Sequence, residues 1–576
     1  MSGIAGYIGR GSADELERMI AAIPYRGDTS DQASGPGWGL ACRFWHGRAN
    51  KTMGILQDAG VAVACAGTLA PQTANPAWTL KQRLLDASDP LADLDGAFGA
   101  AVVQTDGLRL TLVRDPFGVR SLYYVELGGT LYFATELKQL LALPQLSAEL
   151  DLAAIHKYLT FSFVPGEAVP IRGVRRLLPG HRLEYSAGRL EIRPYFQLSE
   201  RLDPELEDLG AATLMVSRLA KQAVQKRLGD GPVGLFLSGG LDSAAVGTWL
   251  KQAGAEVHAF SLDFGAKSVE REQAEQVAKH LGIPLTWVPV DGTTVNAALE
   301  DAVWKLDLPF GDPVTVPQYL LGAAARKAGI NAVFNGEGGD QLFGGWTSKP
   351  MVAAAVYGGM FEDESPEEQY LRAWHRFYGH EEKLYTTFLR DAVGGPGQRR
   401  ALLAPYLGDD RTTQFLNRVR LTDISLKGSQ NILPRAERMS NAHGLDLRVP
   451  LFDRELAEAS FALPTGFKLH GACEKYVLKR AMQWALPEDI VWRRKFGMSV
   501  PVTDWVLGPM ADRLSEVLGE PSLQRRGLFV PSYVTSLRAG VDHPAETRKR
   551  RIGEKLWTLL MLELWLRAFV DRRGQR

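Results

Sequence analysis

Cysteine is nearly missing from this chain. Its 576 residues hold only Cys42, Cys65 and Cys473, far apart and with no Cys-x-x-Cys spacing. That excludes a disulfide framework, gives no zinc signature and fits a reducing compartment. Net charge is missing too: 66 Lys+Arg stand against 66 Asp+Glu, formally +0, whereas a nucleic-acid binder carries a basic excess. No run approaches the roughly 18 consecutive apolar residues of a spanning helix. The start, Met-Ser-Gly-Ile-Ala-Gly-Tyr-Ile-Gly, lacks the basic opening and apolar stretch of a signal peptide. There is no internal repeat and no low-complexity tract. These absences point to a soluble cytoplasmic protein with no nucleic-acid or membrane partner. The one dense basic run, Arg548-Lys549-Arg550-Arg551, precedes an apolar helical stretch and reads as a solvated helix face.

What is present divides in two. The length calls for two to four domains, and the pattern changes across a polar linker around Gln197–Glu207. Before it, short runs bounded by Gly and Asp predict strands at Ile4–Ile8, Val61–Ala66, Phe98–Gln104 and Leu108–Val113. Leu122–Glu126 and Leu131–Ala134 flank Leu127-Gly128-Gly129-Thr130, whose two glycines suit a tight hairpin. Helices are expected at Ser12–Ala22 and Leu80–Leu85. Beyond the linker, strands (Val233–Leu237, Val257–Leu262, Leu285–Val290, Ala332–Asn335) alternate with helices (Ser243–Lys251, Glu270–Leu281, Val314–Ala328). Alternation of this kind implies βαβ crossovers and a parallel sheet covered by helices. The domains expected are 1–200 and 201–576.

Between a strand and a helix lies Ser238-Gly239-Gly240-Leu241-Asp242-Ser243. Two glycines let backbone N–H groups close on an anion, and the helix N-terminus adds positive dipole character. The serines can donate to phosphate oxygens; Asp242 repels phosphate and makes sense as a ligand for Mg²⁺. By itself the segment is also readable as a capped Gly-Gly turn. A second segment, Asn335-Gly336-Glu337-Gly338-Gly339-Asp340, follows another strand of the same sheet, at the edge where such sheets bind ligands. Asp340 can supply a second carboxylate to the metal. Arg493-Arg494-Lys495 is either a phosphate-neutralising cluster or a surface charge run.

Ser-Gly-Gly-Leu-Asp-Ser resembles the pyrophosphate loop of the ATP pyrophosphatases, and the later segments resemble the glutamine-hydrolysing asparagine synthetases. The likeness rests on Pro309–Pro313, Asp340–Gly345, Glu437–Ser440, Gly444–Asp453 and Leu478–Lys495. It implies an α/β chain: an N-terminal-nucleophile αββα glutaminase-like domain, then a parallel-sheet ATP-pyrophosphatase (adenine nucleotide alpha hydrolase-like) synthetase domain. It also implies ATP and Mg²⁺, an acyl-adenylate, pyrophosphate release and attack by an amine. Carried over by position, nucleotide contacts fall to Leu237, Ser238, Gly239, Gly240, Asp242, Ser243, Ser261 and Gly336. Asp242 and Asp340 take the metal, Glu337 orients or deprotonates the amine, and Lys495 stabilises charge in the transition states. Gln341 and Asp446 depart from the pattern, standing where many asparagine synthetases carry Glu.

The first half resembles the family's glutaminase through Gly3–Gly6, Tyr25–Asp28, Leu94–Phe98, Arg114–Gly118 and Phe133–Lys138. The family's nucleophile is a cysteine at position 2; here it is Ser2, a poorer nucleophile near neutral pH. The family's glutamine-holding Asn-Gly-Glu appears as Ala66-Gly67-Thr68, which removes an oxyanion donor and the partner of the substrate's ammonium. Asp95 persists. The domain is therefore expected to be an inactive scaffold, and the amine to come from elsewhere. Lasso-peptide cyclases, which join an Asp or Glu side chain of a precursor peptide to its own N-terminal amine, are the relatives this chain resembles most. β-Lactam synthetases carry Tyr at the position of Glu337 and fit less well. The leading expectation is thus a ring-closing amide synthetase acting on a precursor peptide, with a leader-binding or peptidase partner as an option and a homodimer among the open oligomeric states. The other readings are an asparagine synthetase-like enzyme using free ammonia or another small amine, a β-lactam synthetase-like ligase, and a binding protein without catalysis. The aromatic stretch Trp346–Asp423, with Trp374, Phe377 and Tyr378, is a candidate peptide groove or else ordinary helical core.

Overall fold

The computed structural model of the chain describes residues 2–46, 54–58, 60–73, 75–86, 91, 93–345, 365–374, 376–394, 397–408, 411–493, 499–540 and 546–574. Period-two alternation layers the first half. In strand β5 (Val61–Leu69), Ala62, Ala64 and Ala66 point inward onto Ile4 and Ile8 of β1 (Ser2–Ile8). Val61, Val63 and Cys65 point outward onto Ala77 and Leu80 of the helix Pro76–Asp86. On the opposite side, Ala5 and Tyr7 of β1 turn out toward Leu16, Met19 and Ile20 of the helix Ala13–Ala21. A helix–sheet–sheet–helix sandwich results, since successive strand side chains face opposite ways.

Each sheet has six antiparallel strands. One runs β10-β8-β9-β1-β3-β2, the other β12-β11-β7-β6-β5-β4. In the first, β2 is Thr29–Gly35, β3 Trp38–Phe44, β8 Tyr123–Leu127, β9 Thr130–Ala134 and β10 Arg175–Arg176. In the second, β4 is Leu56–Asp58, β6 Gly96–Gln104, β7 Arg109–Arg114, β11 His181–Ser186 and β12 Arg189–Pro194. The expected hairpin is β8–β9, and both turn glycines take positive φ, +57° at Gly128 and +79° at Gly129.

The second half holds five parallel strands in the order β15-β14-β13-β16-β17: β13 Val233–Phe236, β14 Val257–Asp263, β15 Leu285–Pro289, β16 Ala332–Phe334 and β17 Asp446–Arg448. The order reverses at β13 and β16, so the loops leaving these two strands diverge over a crevice, the usual ligand site of such sheets. Four strands lie where the alternation put them. The fifth, Asp446-Leu447-Arg448, is three residues long and mostly charged, so no apolar run announces it.

The halves are fused rather than tethered. Leu137 and Leu140 from the first share one apolar cluster with Trp557, Trp565 and Phe569 from the second. Buried ion pairs cross the same boundary. Arg26 binds Glu136 and, at 2.5 Å, Glu437; Arg120 also binds Glu437, and Arg438 reaches Glu136 at 2.7 Å. Asp307 accepts from the backbone N–H of Leu137 and Lys138 at 2.6 and 3.0 Å. Each carboxylate meets more than one donor, which is what charges out of water require. The three cysteines are free, and among the described residues no helix is long and apolar enough to cross a membrane.

Candidate active site

The loop after β13 is shaped by contacts that only glycine allows. Gly239 has φ +78°, and a Cβ there would lie 2.8 Å from the Glu270 carbonyl oxygen and 2.9 Å from the Ala274 nitrogen. Ser261 on β14 donates to the Leu237 carbonyl at 2.5 Å and pins the loop to the sheet. The two serines stitch the turn. Ser238 N–H donates to Ser243 Oγ at 3.2 Å, and Gly240 N–H to Ser238 Oγ at 3.3 Å. The helix Leu241–Gln252 starts directly afterwards, so its N-terminal amides face the crevice.

The loop after β16 packs on this turn, again through glycine. A Cβ on Gly336 would sit 2.5 Å from Ser243 N, and one on Gly339 would sit 2.2 Å from Asp242 Oδ1. That close approach brings Asp242 and Asp340 onto a common cation: Lys475 Nζ lies 2.5 Å from Asp242 Oδ2 and 2.6 Å from Asp340 Oδ1. Burial by itself disfavours the ammonium, but the two carboxylates outweigh it and hold the Lys475 pKa above its ordinary value. Asp242 Oδ1 is buried without a hydrogen-bond partner. Two convergent carboxylates with an orphan oxygen fit a hard divalent cation that takes its other ligands from phosphate and water. Among the described residues no cluster of three or more His, Cys, Asp or Glu forms a self-sufficient metal cage.

These groups wall a cavity of about 500 Å³. On the β14 side it is lined by Ser261, Leu262, Phe264 and Trp287. On the β16 side it is charged, with Asp312, Glu337, Arg376, Lys427 and Glu554. Most of these charges are matched. Arg435 binds Asp312, Arg376 binds Glu554, and Arg493 binds Glu270 at 2.8 Å. Lys479 donates to the Arg493 carbonyl at 3.4 Å.

Of the residues singled out in the sequence, Leu237, Ser238, Gly240, Asp242, Ser243, Ser261, Gly336, Glu337 and Asp340 all line this one cavity. Gly239 supports the turn from behind, and Lys495 lies outside the described residues, as do Arg494 and Trp346. The aromatic groove needs correction. Phe377 is buried, Trp374 packs on Phe161, Phe163 and Tyr370, and the Tyr378 hydroxyl donates to Glu368. These rings sit in the turn after the helix Pro366–Ala373 and pack against their neighbours; from the described part of that stretch the cavity takes Arg376. Sequence reasoning missed Lys475, whose signal was its place two residues before the apolar helix face Val477-Leu478, and it also missed Lys427. Gln341 is buried on the helix Gly339–Phe343, and Asp446 pairs with Arg448 at 3.2 Å.

The N-terminal residues make a different arrangement. Ser2 is buried, and its Oγ accepts from Gly67 N–H at 3.1 Å. Gly67 has φ +110°, and a Cβ would fall 1.9 Å from the Ala97 carbonyl oxygen. Asp95 is held at 2.7 Å by Arg227 of the second half, which holds Asp453 at the same distance. Thr68, Gly96, Ala97, Arg227 and Arg448 enclose about 20 Å³, room for about one water.

Comparison with known proteins finds two family models along the chain. Residues 215–567 match the asparagine synthase family model, and residues 85–196 match that of the glutamine amidotransferase domain. The chain is 27% identical over 506 residues to asparagine synthetase (glutamine-hydrolyzing) 1 of Bacillus subtilis, covering 83% of this chain and 78% of that protein. It is 29% identical over 527 residues to a putative asparagine synthetase (glutamine-hydrolyzing) of Mycobacterium tuberculosis, covering 84% and 78%. The Penicillium rubens protein named amidase chyE is 25% identical over 505 residues, covering 76% and 74%.

Proposed function

The chain belongs to the asparagine synthase family, whose members are ATP-dependent amide-forming ligases, and from that premise we propose that it closes a ring on a precursor peptide. An Asp or Glu side chain is activated as its acyl-adenylate, and the peptide's own N-terminal amine displaces AMP. The observation that carries the choice of amine is the occupied N-terminal pocket. Arg227 takes Asp95, and Thr68 stands where a carboxylate would hold glutamine's ammonium. With serine at position 2 and both of those contacts gone, that half serves as scaffold.

The other pocket has the parts for adenylation. Backbone amides of Gly239 to Asp242 and the hydroxyls of Ser238 and Ser243 bind the phosphates. Lys475 stands between Asp242 and Asp340 and can turn to pyrophosphate as it leaves. Mg²⁺, held by Asp242 and Asp340, would neutralise charge on the departing pyrophosphate. Glu337 faces the cavity from the loop after β16 and takes the proton that an attacking ammonium must lose. By resemblance Lys495 adds charge stabilisation.

A second reading, an asparagine synthetase, is favoured by the relatives, which are named asparagine synthetase (glutamine-hydrolyzing); with the first half as scaffold its nitrogen would come from free ammonia. ATP–pyrophosphate exchange separates the two. Exchange driven by a peptide with an internal Asp or Glu, and not by free aspartate, is the result expected here. Exchange with free aspartate alone would overturn ring closure and leave the ammonia ligase.

A further inference from the structure

Of the seven cations that line the cavity among the described residues, five meet a carboxylate and one a backbone carbonyl, and the seventh points to a ligand. Among the cations lining it, Lys475 sits on two carboxylates, Arg376 on Glu554 and Arg493 on Glu270. Lys267 reaches Asp504 at 3.5 Å, and Arg271 reaches Asp263 at 2.7 Å. Lys479 is taken by a carbonyl. Lys427 has no carboxylate partner among the described residues; its ammonium lies 5.9 Å from the centre of the Trp374 ring.

Its position in the fold is also informative. Lys427 sits within Asp423–Ile432, a ten-residue stretch of π-helix. Wide turns of this kind are rare, and they are frequent at functional sites. The stretch packs against the helix Gly339–Phe343 that follows β16, which places Lys427 on the β16 side of the cavity. The apolar wall of Leu262, Phe264 and Trp287 belongs to the opposite, β14–β15 side, with the phosphate turn between them. Trp374 is packed among Phe161, Phe163 and Tyr370, so it gives the ammonium a fixed ring to lie on and limits its search.

The geometry points to Lys427 as the residue that recognises the acid to be activated: its ammonium binds the substrate carboxylate on the Glu337 side of the phosphate turn. This assignment rests on the adenylating function proposed above and names the chemistry of that site's second substrate, an acidic side chain. It requires no particular amine.

The experiment is ATP–pyrophosphate exchange by the full chain, with acid and ATP varied independently, in wild type, Lys427→Met and Lys427→Arg. The acid is the best of free aspartate and an Asp-containing or Glu-containing peptide. Loss of one charge-assisted bond predicts that Lys427→Met raises the KM for the acid about 10- to 100-fold. The KM for ATP should stay within about twofold, and Lys427→Arg should recover most of the loss. Far-ultraviolet circular dichroism and melting temperature check that the variants fold. An equal rise in the KM for ATP would overturn the assignment and place Lys427 on the phosphates, and no change in either would make it a solvated side chain. If wild type shows no exchange with any acid, the adenylation reading itself fails and the Lys427 assignment falls with it. If free aspartate is the better acid, ring closure fails while Lys427 is still judged by its effect on aspartate.

Discussion

The two pockets of this chain use similar materials to opposite ends. In the synthetase pocket, glycines at 336 and 339 let one loop press on another, two carboxylates converge, and about 500 Å³ stays open in front of them. Beside Ser2, Gly67 allows an equally close backbone approach, but the nearby carboxylate, Asp95, is held by Arg227, and the crevice between Thr68, Ala97 and Arg448 is only about 20 Å³. The difference lies in where each acid finds its partner. Asp242 and Asp340 share a lysine, and all three line the cavity. Asp95 is matched by an arginine that also binds Asp453 and bridges the two halves, so a ligand would have to break the interface to reach it. The first pair of carboxylates faces a cavity; the second is locked between the two halves.

The comparison can be tested from its strongest contrast to its weakest. Asp242→Asn removes one of the two converging carboxylates and should lower ATP–pyrophosphate exchange about 10³-fold, while leaving the melting temperature near that of wild type. Glu337→Gln should lower amide formation about 10²-fold or more but spare the exchange reaction, because the base acts after adenylation. A matched fall in both would move Glu337 to the first step. In the other pocket, Arg227→Met leaves Asp95 and Asp453 buried without their shared cation. Urea unfolding should then report a loss of about 3–5 kcal/mol.

Acid should act on the same interface. Burial pushes the Glu437 carboxyl up, but Arg26, Arg120 and Arg438 outweigh it and take it down to about 2. A depressed carboxylate stabilises the fold above its unfolded pKa, about 4.3, and that contribution is lost as pH falls from there toward 2. The pH dependence of urea midpoints over that window should be steeper for wild type than for Glu437→Gln. Smallest of all, Ser2→Ala should change neither exchange nor amide formation, and neither protein should release ammonia from glutamine. A glutaminase rate lost on replacing Ser2 would show that the pocket opens.

Much of the catalytic pocket was legible because its residues occupy two short glycine-rich segments, each directly after a strand whose apolar run is easy to read. Periodicity placed β13 and β16, and every residue of the turn came with them. Lys475 and Lys427 were not legible in this way. One takes positive φ at a helix start far along the chain, and the other sits in a π-helical stretch whose pattern fits neither a 3.6-residue nor a two-residue period. The aromatic stretch stayed open between core and groove because ring spacing is the same for both; for Trp374 it is packing on Phe161 and Phe163 that separates them.

The sequence by itself determined the parallel sheet, the sandwich before it, the phosphate turn, both acids that converge on Lys475, and the loss of the usual groups at Ser2, Ala66 and Thr68. Those depend on local chemistry: glycine's freedom, alternation of apolar side chains, and the identity of single residues. Tertiary structure alone decided that Asp95 belongs to Arg227, that Lys475 closes the acid pair, and that Arg376 takes Glu554 while Lys427 meets no carboxylate among the described residues. Each of these is a pairing between residues far apart in the chain, and buried charges choose their partners by distance after folding, which spacing along the chain does not encode.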